Sequence, residues 1–240
     1  MPALRPLVVI PTYNEAENIV ALAREVLAQH PSLAVLVIDD ASPDGTGALV
    51  AEESRREPRL RLMTRAGKLG LGSAYGAGFR HGLDHGHDWV FTMDGDGSHA
   101  PRHLRAMLDA TANCELVIGS RYVPGGGIQN WPLHRRALSK FANFYTRTLL
   151  RLPVRDCTSG FRGHARSVLE RVDPGGIDAS GYSFLEEMVW RVHRAGFRIT
   201  EVPIVFQDRT AGASKISRSE IVRAAWHVLA TALGIGHRRF

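Results

Sequence analysis

Cysteine is scarce in this chain: Cys114 and Cys157 are the only two in 240 residues, and they share no C-x-x-C spacing. That excludes a disulfide framework, argues against a thiolate zinc site and suits a reducing cytosol. Long hydrophobic runs are missing as well. The N-terminal run, Leu7 to Ile10, stops at Pro11 after four residues and reads as a buried strand, not a signal peptide. Near the other end AAWHVLATALGIG covers 13 residues and contains His227. A spanning helix needs about 20 apolar residues, so no transmembrane domain is expected, although the segment could still lie on a membrane. There is no G-x-x-x-x-G-K-[ST] loop. The glycine-rich GKLGLGSAYGAG at 67–78 lacks the G-x-G-x-x-G spacing and follows the third strand, not the first. Gly72, Gly76 and Gly78 are therefore expected to serve close helix packing. Internal repeats and low-complexity tracts are absent.

What is present is globular: 44% hydrophobic and 22% charged residues, enough chain for one full core with an appendage. Lys+Arg of 30 against Asp+Glu of 24 leaves a net charge of +6, and the pI is near 9.8. This balance suits an anionic partner, whether nucleic acid, acidic lipid or a phosphorylated small molecule.

Short β-rich runs alternate with helical patterns through the first half. Strands are expected at 7–10, 34–40, 59–65, 88–94 and 114–121, and helices at 15–30, 46–56, 72–86 and 101–111. Near-continuous apolar strands separated by helices imply an α/β fold with a mostly parallel sheet covered on both faces. Ligands bind such sheets beyond the carboxyl ends of the strands. Four of those ends carry polar groups: Tyr13-Asn14-Glu15, Asp39-Asp40, Asp94 with Asp96, and Ser120-Arg121.

The stretch MDGDGSHAP at 93–101 sets two carboxylates one residue apart. Oxygen-only ligands suit a hard ion such as Mg²⁺ or Mn²⁺, with substrate phosphates filling further positions. Gly95 and Gly97 allow a sharp turn and close approach of a ligand. An isolated D-x-D is equally well a solvated turn; Asp39 and Asp40, acceptors suited to a ribose and base, favour the ligand. His81, His85 and His87 have no fourth ligand nearby and are expected to be exposed. The loop FQDRTAGASK (206–215), after the apolar strand TEVPIVF, holds Arg209 and Lys215 around a Gly-Ala-Ser segment and could bring two cations onto phosphates.

The second half is less regular. PGGGIQNWP (124–132) reads as a flexible connection and 133–151 as a helix with two faces. Leu138, Phe141, Tyr145 and Leu149 fall together, with Arg136, Lys140, Arg147 and Arg151 roughly opposite. Both an ordinary docked surface helix and a helix at a membrane interface fit that pattern.

Taken in order, VVIPTYNEAENI, VLVIDDASPDGTG, GLGSAYGAGFRHGL, MDGDGSHAP, VIGSRYVPGG, NWPLHRRALSKFANFYTR, DCTSGFR, GYSFLEEMVWR and EVPIVFQDRTAGASK resemble the family-2 glycosyltransferases of GT-A type. Within that family they are most similar to the polyprenyl-phosphate mannosyltransferases, notably actinobacterial polyprenol-monophosphomannose synthases. The likeness spans residues 7 to about 222. It implies a Rossmann-like GT-A domain over 1–218, with a nucleotide-sugar half to about 123 and an acceptor half beyond it, followed by an amphipathic helix and tail over 219–240. Pro11, Tyr13, Glu15, Ile38 and Asp40 would hold the guanosine of GDP-mannose. Asp94, Gly95, Asp96 and Ser98 would line a divalent metal and the diphosphate, with Asp94 and Asp96 as the metal ligands. Arg121, Arg209 and Lys215 would contact phosphates of donor or acceptor. The chain departs from the family pattern at Gly95, often alanine; at Ser98, where some members supply glutamine; at Leu185, often glutamine; and at Glu186, where an apolar residue is common.

The resemblance implies inverting transfer of mannose from GDP-mannose to a polyprenyl phosphate, with Mg²⁺ or Mn²⁺ as cofactor. It also implies peripheral attachment to the cytoplasmic face of a membrane and, in some relatives, a separate membrane-protein partner. A polyprenyl-phosphate glucosyltransferase using UDP-glucose is the nearest alternative. A nucleotidyltransferase would carry a Gly-rich, Lys/Arg-containing signature after its first strand, which PTYNEAE is not. A nucleic-acid-binding module rests on pI alone, and the acidic strand ends oppose it.

Overall fold

The computed structural model describes residues 4–174, 177, 182–208 and 218–235. In chain order the elements are β1 (Pro6–Thr12), α1 (Ile19–Leu27), β2 (Ala34–Asp39), α2 (Thr46–Ser54), β3 (Leu60–Thr64), α3 (Leu71–Asp84), β4 (Trp89–Thr92), α4 (His103–Ala110) and β5 (Leu116–Ser120). There follow β6 (Gly127–Gln129), α5 (Leu133–Leu149), β7 (Arg162–Ala165), α6 (Arg166–Val172), α7 (Tyr182–Arg194), β8 (Ile199–Pro203), β9 (Val205–Gln207) and α8 (Arg218–Ala232). The five strands and four helices expected in the first half are all there, with boundaries shifted by a few residues.

Seven strands form one sheet in the order β3-β2-β1-β4-β7-β5-β8. All neighbours are parallel except β7, which runs antiparallel to both β4 and β5. Apolar side chains explain the layering. In β1, Leu7 through Ile10 are buried, as are Val35 through Ile38 in β2, because helices cover both faces. From β1 the chain moves outward to β2 and β3, then returns to the other side of β1 at β4. That reversal opens a crevice between the carboxyl ends of β1 and β4, and Tyr13 and Asp94 follow those two ends.

Gly163 makes the antiparallel insertion of β7 possible. A Cβ there would stand 2.4 Å from a ring carbon of Phe91 in β4 and 2.8 Å from Val117 in β5. The expected close packing of α3 holds at Gly78, where a Cβ would meet Val9 at 2.5 Å; a Cβ at Gly76 would meet nothing.

Three features differ from the expectations. TEVPIVF is two strands, not one: the chain leaves the large sheet after β8, and β9 pairs in parallel with β6 as a separate two-stranded sheet. Part of the supposedly flexible 124–132 connection is therefore strand. The pairing brings Trp131 against Phe206, ring centroids 5.3 Å apart. Third, α5 buries Asn143 and Thr146, while Leu138, Phe141 and Phe144 are 45%, 63% and 65% exposed. Its most deeply buried positions are polar, Tyr145 and Leu149 pack partly buried against the core, and its other large apolar side chains face outward. Among the described residues no helix is long and apolar enough to cross a membrane.

Candidate active site

The site assembles where β1, β2, β4 and β5 end. At the end of β2, Asp39 is a staple. It accepts the Thr12 hydroxyl at 3.1 Å and both the amide and hydroxyl of Ser42, at 3.0 and 2.5 Å. Asp40 carries a two-pronged pair with Arg65, Nε to Oδ1 at 2.6 Å and Nη2 to Oδ2 at 2.7 Å; a nucleotide at this edge would meet the pair. Tyr13 and Glu15 lie on the loop after β1, with the Lys68 ammonium 4.8 Å from the Tyr13 ring centroid. The Glu15 amide donates to Thr46 Oγ1 at 3.0 Å. Ile38 is fully buried, so what it can offer a ligand is main chain. Pro11 packs its carbonyl against Gly95, 3.2 Å from where a Cβ would sit.

Beyond β4, Asp94 and Asp96 are partly exposed and bracket the buried Gly95. The Ser98 amide and hydroxyl both donate to Asp96 Oδ1, at 3.0 and 2.6 Å, so Ser98 orients that carboxylate. Tyr75 donates its hydroxyl to Asp94 Oδ1 at 3.3 Å. The Asp94 amide donates to His99 Nδ1 at 3.1 Å, which leaves the other ring nitrogen carrying the proton of a neutral imidazole. Burial between Phe161 and Phe206 lowers the His99 pKa even though Asp94 and Asp96 oppose the shift. The donor set is oxygen-only: two partly exposed carboxylates one residue apart. It fits a hard divalent cation completed by substrate oxygens. Among the described residues no cluster of three or more His, Cys, Asp or Glu stands ready for a metal, the three histidines of α3 and its C-terminus included.

Arg121, just past β5, is held rigidly. Its Nε and Nη2 donate to Asp156 Oδ2 and Oδ1, each at 2.7 Å; its amide donates to Oδ2 at 3.0 Å; and Nη2 also reaches Thr158 Oγ1 at 2.7 Å. Burial alone would raise the Asp156 pKa, but the guanidinium beside it holds the carboxyl below its usual range. Arg162 pins the same loop from beneath. Fully buried, it donates to the carbonyls of Ser159, Leu185 and Cys157 at 2.7, 2.6 and 2.5 Å. Burial lowers its pKa to about 10, so it stays charged near neutrality.

A cavity of about 320 Å³ starts at Asp94, His99 and Arg121 and continues between α5, α7 and α8. Leu138, Phe141, Leu185, Ile221, Ala224 and Val228 give it a hydrocarbon wall. Near its polar end Arg135 lies over the Trp131 ring at 4.0 Å and donates Nη1 to Asp208 at 2.9 Å. Its Nε and the Trp131 indole N–H are buried with no partner among the described residues. Two orphaned donors beside Arg121 make a ready place for an anion. Asn143 joins α5 to this wall, accepting the Cys157 amide at 2.6 Å and donating to Thr158 at 3.1 Å.

The structure thus brings Pro11, Tyr13, Glu15, Asp40, Asp94, Gly95, Asp96, Ser98 and Arg121 to one edge. Arg209 and Lys215 lie outside the described residues. Sequence reasoning missed Trp131, Arg135, His99, Asp156 and Glu186 as members of the site. His99 lies inside the D-x-D segment, and Trp131, Arg135 and Asp156 lie inside the family-like segments NWPLHRRALSKFANFYTR and DCTSGFR. Glu186 is a departure from the family pattern, but no spacing rule joined any of these to the site.

Residues 7–173 match glycosyl transferase family 2. The polyprenol monophosphomannose synthase of Mycolicibacterium smegmatis is 48% identical over 95% of this chain and 86% of its own length. The undecaprenyl-phosphate mannosyltransferase of Micrococcus luteus is 42% identical over 94% and 93%. Among solved structures, a Pyrobaculum calidifontis mannosyltransferase in complex with GDP-Man and Mn²⁺ superposes with a TM-score of 0.63 at 21% identity, over 98% of this chain and 66% of that one. Glucosyl-3-phosphoglycerate synthase of Mycobacterium tuberculosis, with Mn²⁺ and UDP, superposes at 0.68 and 18% identity, over 98% and 82%. These two likenesses concern the fold. The sequence relatives decide the family: the chain is a glycosyltransferase of family 2 and belongs with the polyprenyl-phosphate mannosyltransferases.

Proposed function

We propose that this enzyme transfers mannose from GDP-mannose to a polyprenyl phosphate, inverting the anomeric centre and releasing GDP. One observation carries the reading: a single cavity runs from Asp94 and Arg121 to a hydrocarbon-lined passage between α5 and α8. A nucleotide sugar suits the first end and an isoprenoid chain the second, so the acceptor phosphate falls between them, beside Arg121, Arg135 and Trp131.

Little acid–base chemistry is needed. A phosphate monoester is mostly dianionic near neutral pH, its second pKa being about 6, so the nucleophile arrives deprotonated. The harder task is holding two anions together, which falls to Arg121, Arg135 and the Trp131 indole N–H. Arg209 and Lys215 are assigned to phosphate by the family pattern. Pro11, Tyr13, Glu15, Ile38 and Asp40 would seat the guanosine, Ile38 through its main chain. Asp94 and Asp96, oriented by Ser98 and spaced by Gly95, would hold Mg²⁺ or Mn²⁺, which when bound neutralises charge growing on the departing diphosphate. Backside attack by the acceptor phosphate on a sugar fixed by its diphosphate gives the inverted, β-linked product.

The acceptor lives in a bilayer. Leu133, Leu138, Phe141 and Phe144 of α5 and Val222 and Trp226 of α8 are exposed apolar side chains, Leu138 and Phe141 on the cavity itself, and α5 also carries the exposed Arg136, Lys140 and Arg147. That composition suits peripheral attachment to an anionic membrane surface.

The test is transfer of radiolabelled mannose from GDP-mannose to a short polyprenyl phosphate, with Mg²⁺ or Mn²⁺ and with UDP-glucose as competing donor. Metal-dependent, lipid-extractable label from wild type and almost none from Asp96→Ala is the expected result. Tight GDP-mannose binding without transfer would refute the acceptor, and preference for UDP-glucose would refute the donor.

A further inference from the structure

Glu186 places a carboxyl in an otherwise apolar wall. It sits on α7, 4% exposed, and lines the cavity beside Leu185, Ala224, Ala225 and Val228. Its Oε1 accepts the Thr146 hydroxyl at 3.0 Å. Its Oε2 is buried and has no partner among the described residues. The next residue shows the contrast: Glu187 binds Arg191 through Oε1 and His227 through Oε2.

Charged and titratable groups surround Glu186 without reaching Oε2. From β7 comes Arg162, whose donors go to the three carbonyls named above, with Cys157 on the preceding loop. From α8 comes His227, bound to Glu187. On α7 itself are Glu187 and Arg191, and α5 contributes Thr146 here and Arg135 nearer the polar end. Arg121 and Asp94 lie at that same end of the cavity. Burial outweighs the Thr146 hydrogen bond and the electrostatic pull of Arg162 and His227, and pushes the Glu186 carboxyl up to about 7.

We propose that Glu186 is an acceptor-binding residue that works as a neutral carboxylic acid, donating its Oε2–H to an oxygen of a phosphate monoester held in the cavity. The inference rests on the reading of this cavity as the seat of a lipid phosphate. The chemistry is one of sign. Ionised, Oε2 would set a negative charge against a dianion in surroundings that screen poorly. Neutral, the same oxygen becomes a donor on a cavity-lining residue, with no other partner among the described residues. An arriving anion disfavours ionisation further, so the bound phosphate itself keeps the proton on Glu186. Arg121 and Arg135 supply the charge; Glu186 supplies a directed dipole and withdraws it as the pH rises.

Farnesyl phosphate tests this without any sugar transfer. Its affinity is measured by titration calorimetry at pH 6 and pH 8 for wild type, Glu186→Gln and Glu186→Leu, each first shown to melt cooperatively. With the carboxyl titrating near 7, the competent fraction falls by a factor of about 10 between those pH values, and wild-type affinity should fall with it. Glu186→Gln, a neutral donor of the same shape, should vary less than about 2-fold over that range. Glu186→Leu should bind more weakly than Gln at both. The second ionisation of the phosphate is common to all three proteins and cancels in the comparison. Equal pH ratios for wild type and Glu186→Gln, or wild-type affinity in Glu186→Leu at pH 6, would overturn the assignment while leaving the acceptor reading intact. No binding by wild type at either pH would overturn both.

Discussion

Replacing Asp156 by Asn should separate what Arg121 does for stability from what it does for the site. Asp156 has no exposed side-chain surface and Arg121 has 7%, so this is a buried pair and not a surface bridge. The carboxylate accepts three donors from Arg121, two through Oδ2 and one through Oδ1. An amide keeps one oxygen for the first two and turns an NH₂ toward the third, leaving a buried guanidinium facing a donor. Breaking a buried pair in this way costs about 3–5 kcal/mol. In a chain of this size that corresponds to roughly 6–20 °C in Tm. The assay is equilibrium urea unfolding of wild type and Asp156→Asn, repeated downward in pH. Because the folded-state carboxyl titrates below its unfolded value, the advantage of wild type should be full above about pH 4. It should disappear as the pH falls through the depressed folded value. The double variant Arg121→Met, Asp156→Leu removes both charges and should regain most of the lost stability while failing to transfer sugar. A loss below about 1 kcal/mol, the range of solvated surface pairs, would refute the claim that this pair is desolvated and rigid.

The raised pKa of Glu186 makes a stability prediction of opposite sign. An acid held near 7 in the fold and near 4.5 when unfolded stabilises the native state least above pH 7, so Glu186→Gln should gain about 2.5 kcal/mol over wild type between pH 5 and pH 8; a constant difference across that range in urea titrations would contradict the burial argument. On the surface, wild type should co-sediment with vesicles containing anionic lipid at low salt. Reversing Arg136, Lys140, Arg147 and Arg151 to Glu should weaken that retention by roughly 10-fold or more, and Phe141→Ser with Trp226→Ser should weaken it without the salt dependence. Equal retention of all forms would remove the membrane role of α5 and α8.

The parts of this molecule that could be read from the chain are those whose signal is local. β1 and β2 announce themselves because a strand covered on both faces needs a run such as LVVI or VLVI, and the acids that follow them end up at one edge because parallel strands share a carboxyl end. β7 gave no such signal. Its four residues include Arg162 and His164, both buried, and nothing in RGHA explains how they are tolerated. For Arg162 the explanation lies in carbonyls of the 157–159 loop and of Leu185, which the chain reaches only after folding; His164 is tolerated as a neutral ring, burial lowering its pKa to about 3. The Arg121–Asp156 pair joins residues 35 positions apart, beyond any spacing rule. α5 is the instructive case. Its period correctly sorted residues onto faces, but a period says which residues share a face and not which face turns inward. For a helix with only water outside, the apolar face goes in. α5 instead buries Asn143 and Thr146, which serve the cavity wall, and turns Phe141 and Phe144 outward. That order is unfavourable in water, and it would suit a helix lying against a bilayer, as the peripheral attachment proposed above requires. The period was legible in the chain; which of the two surroundings the helix meets was not.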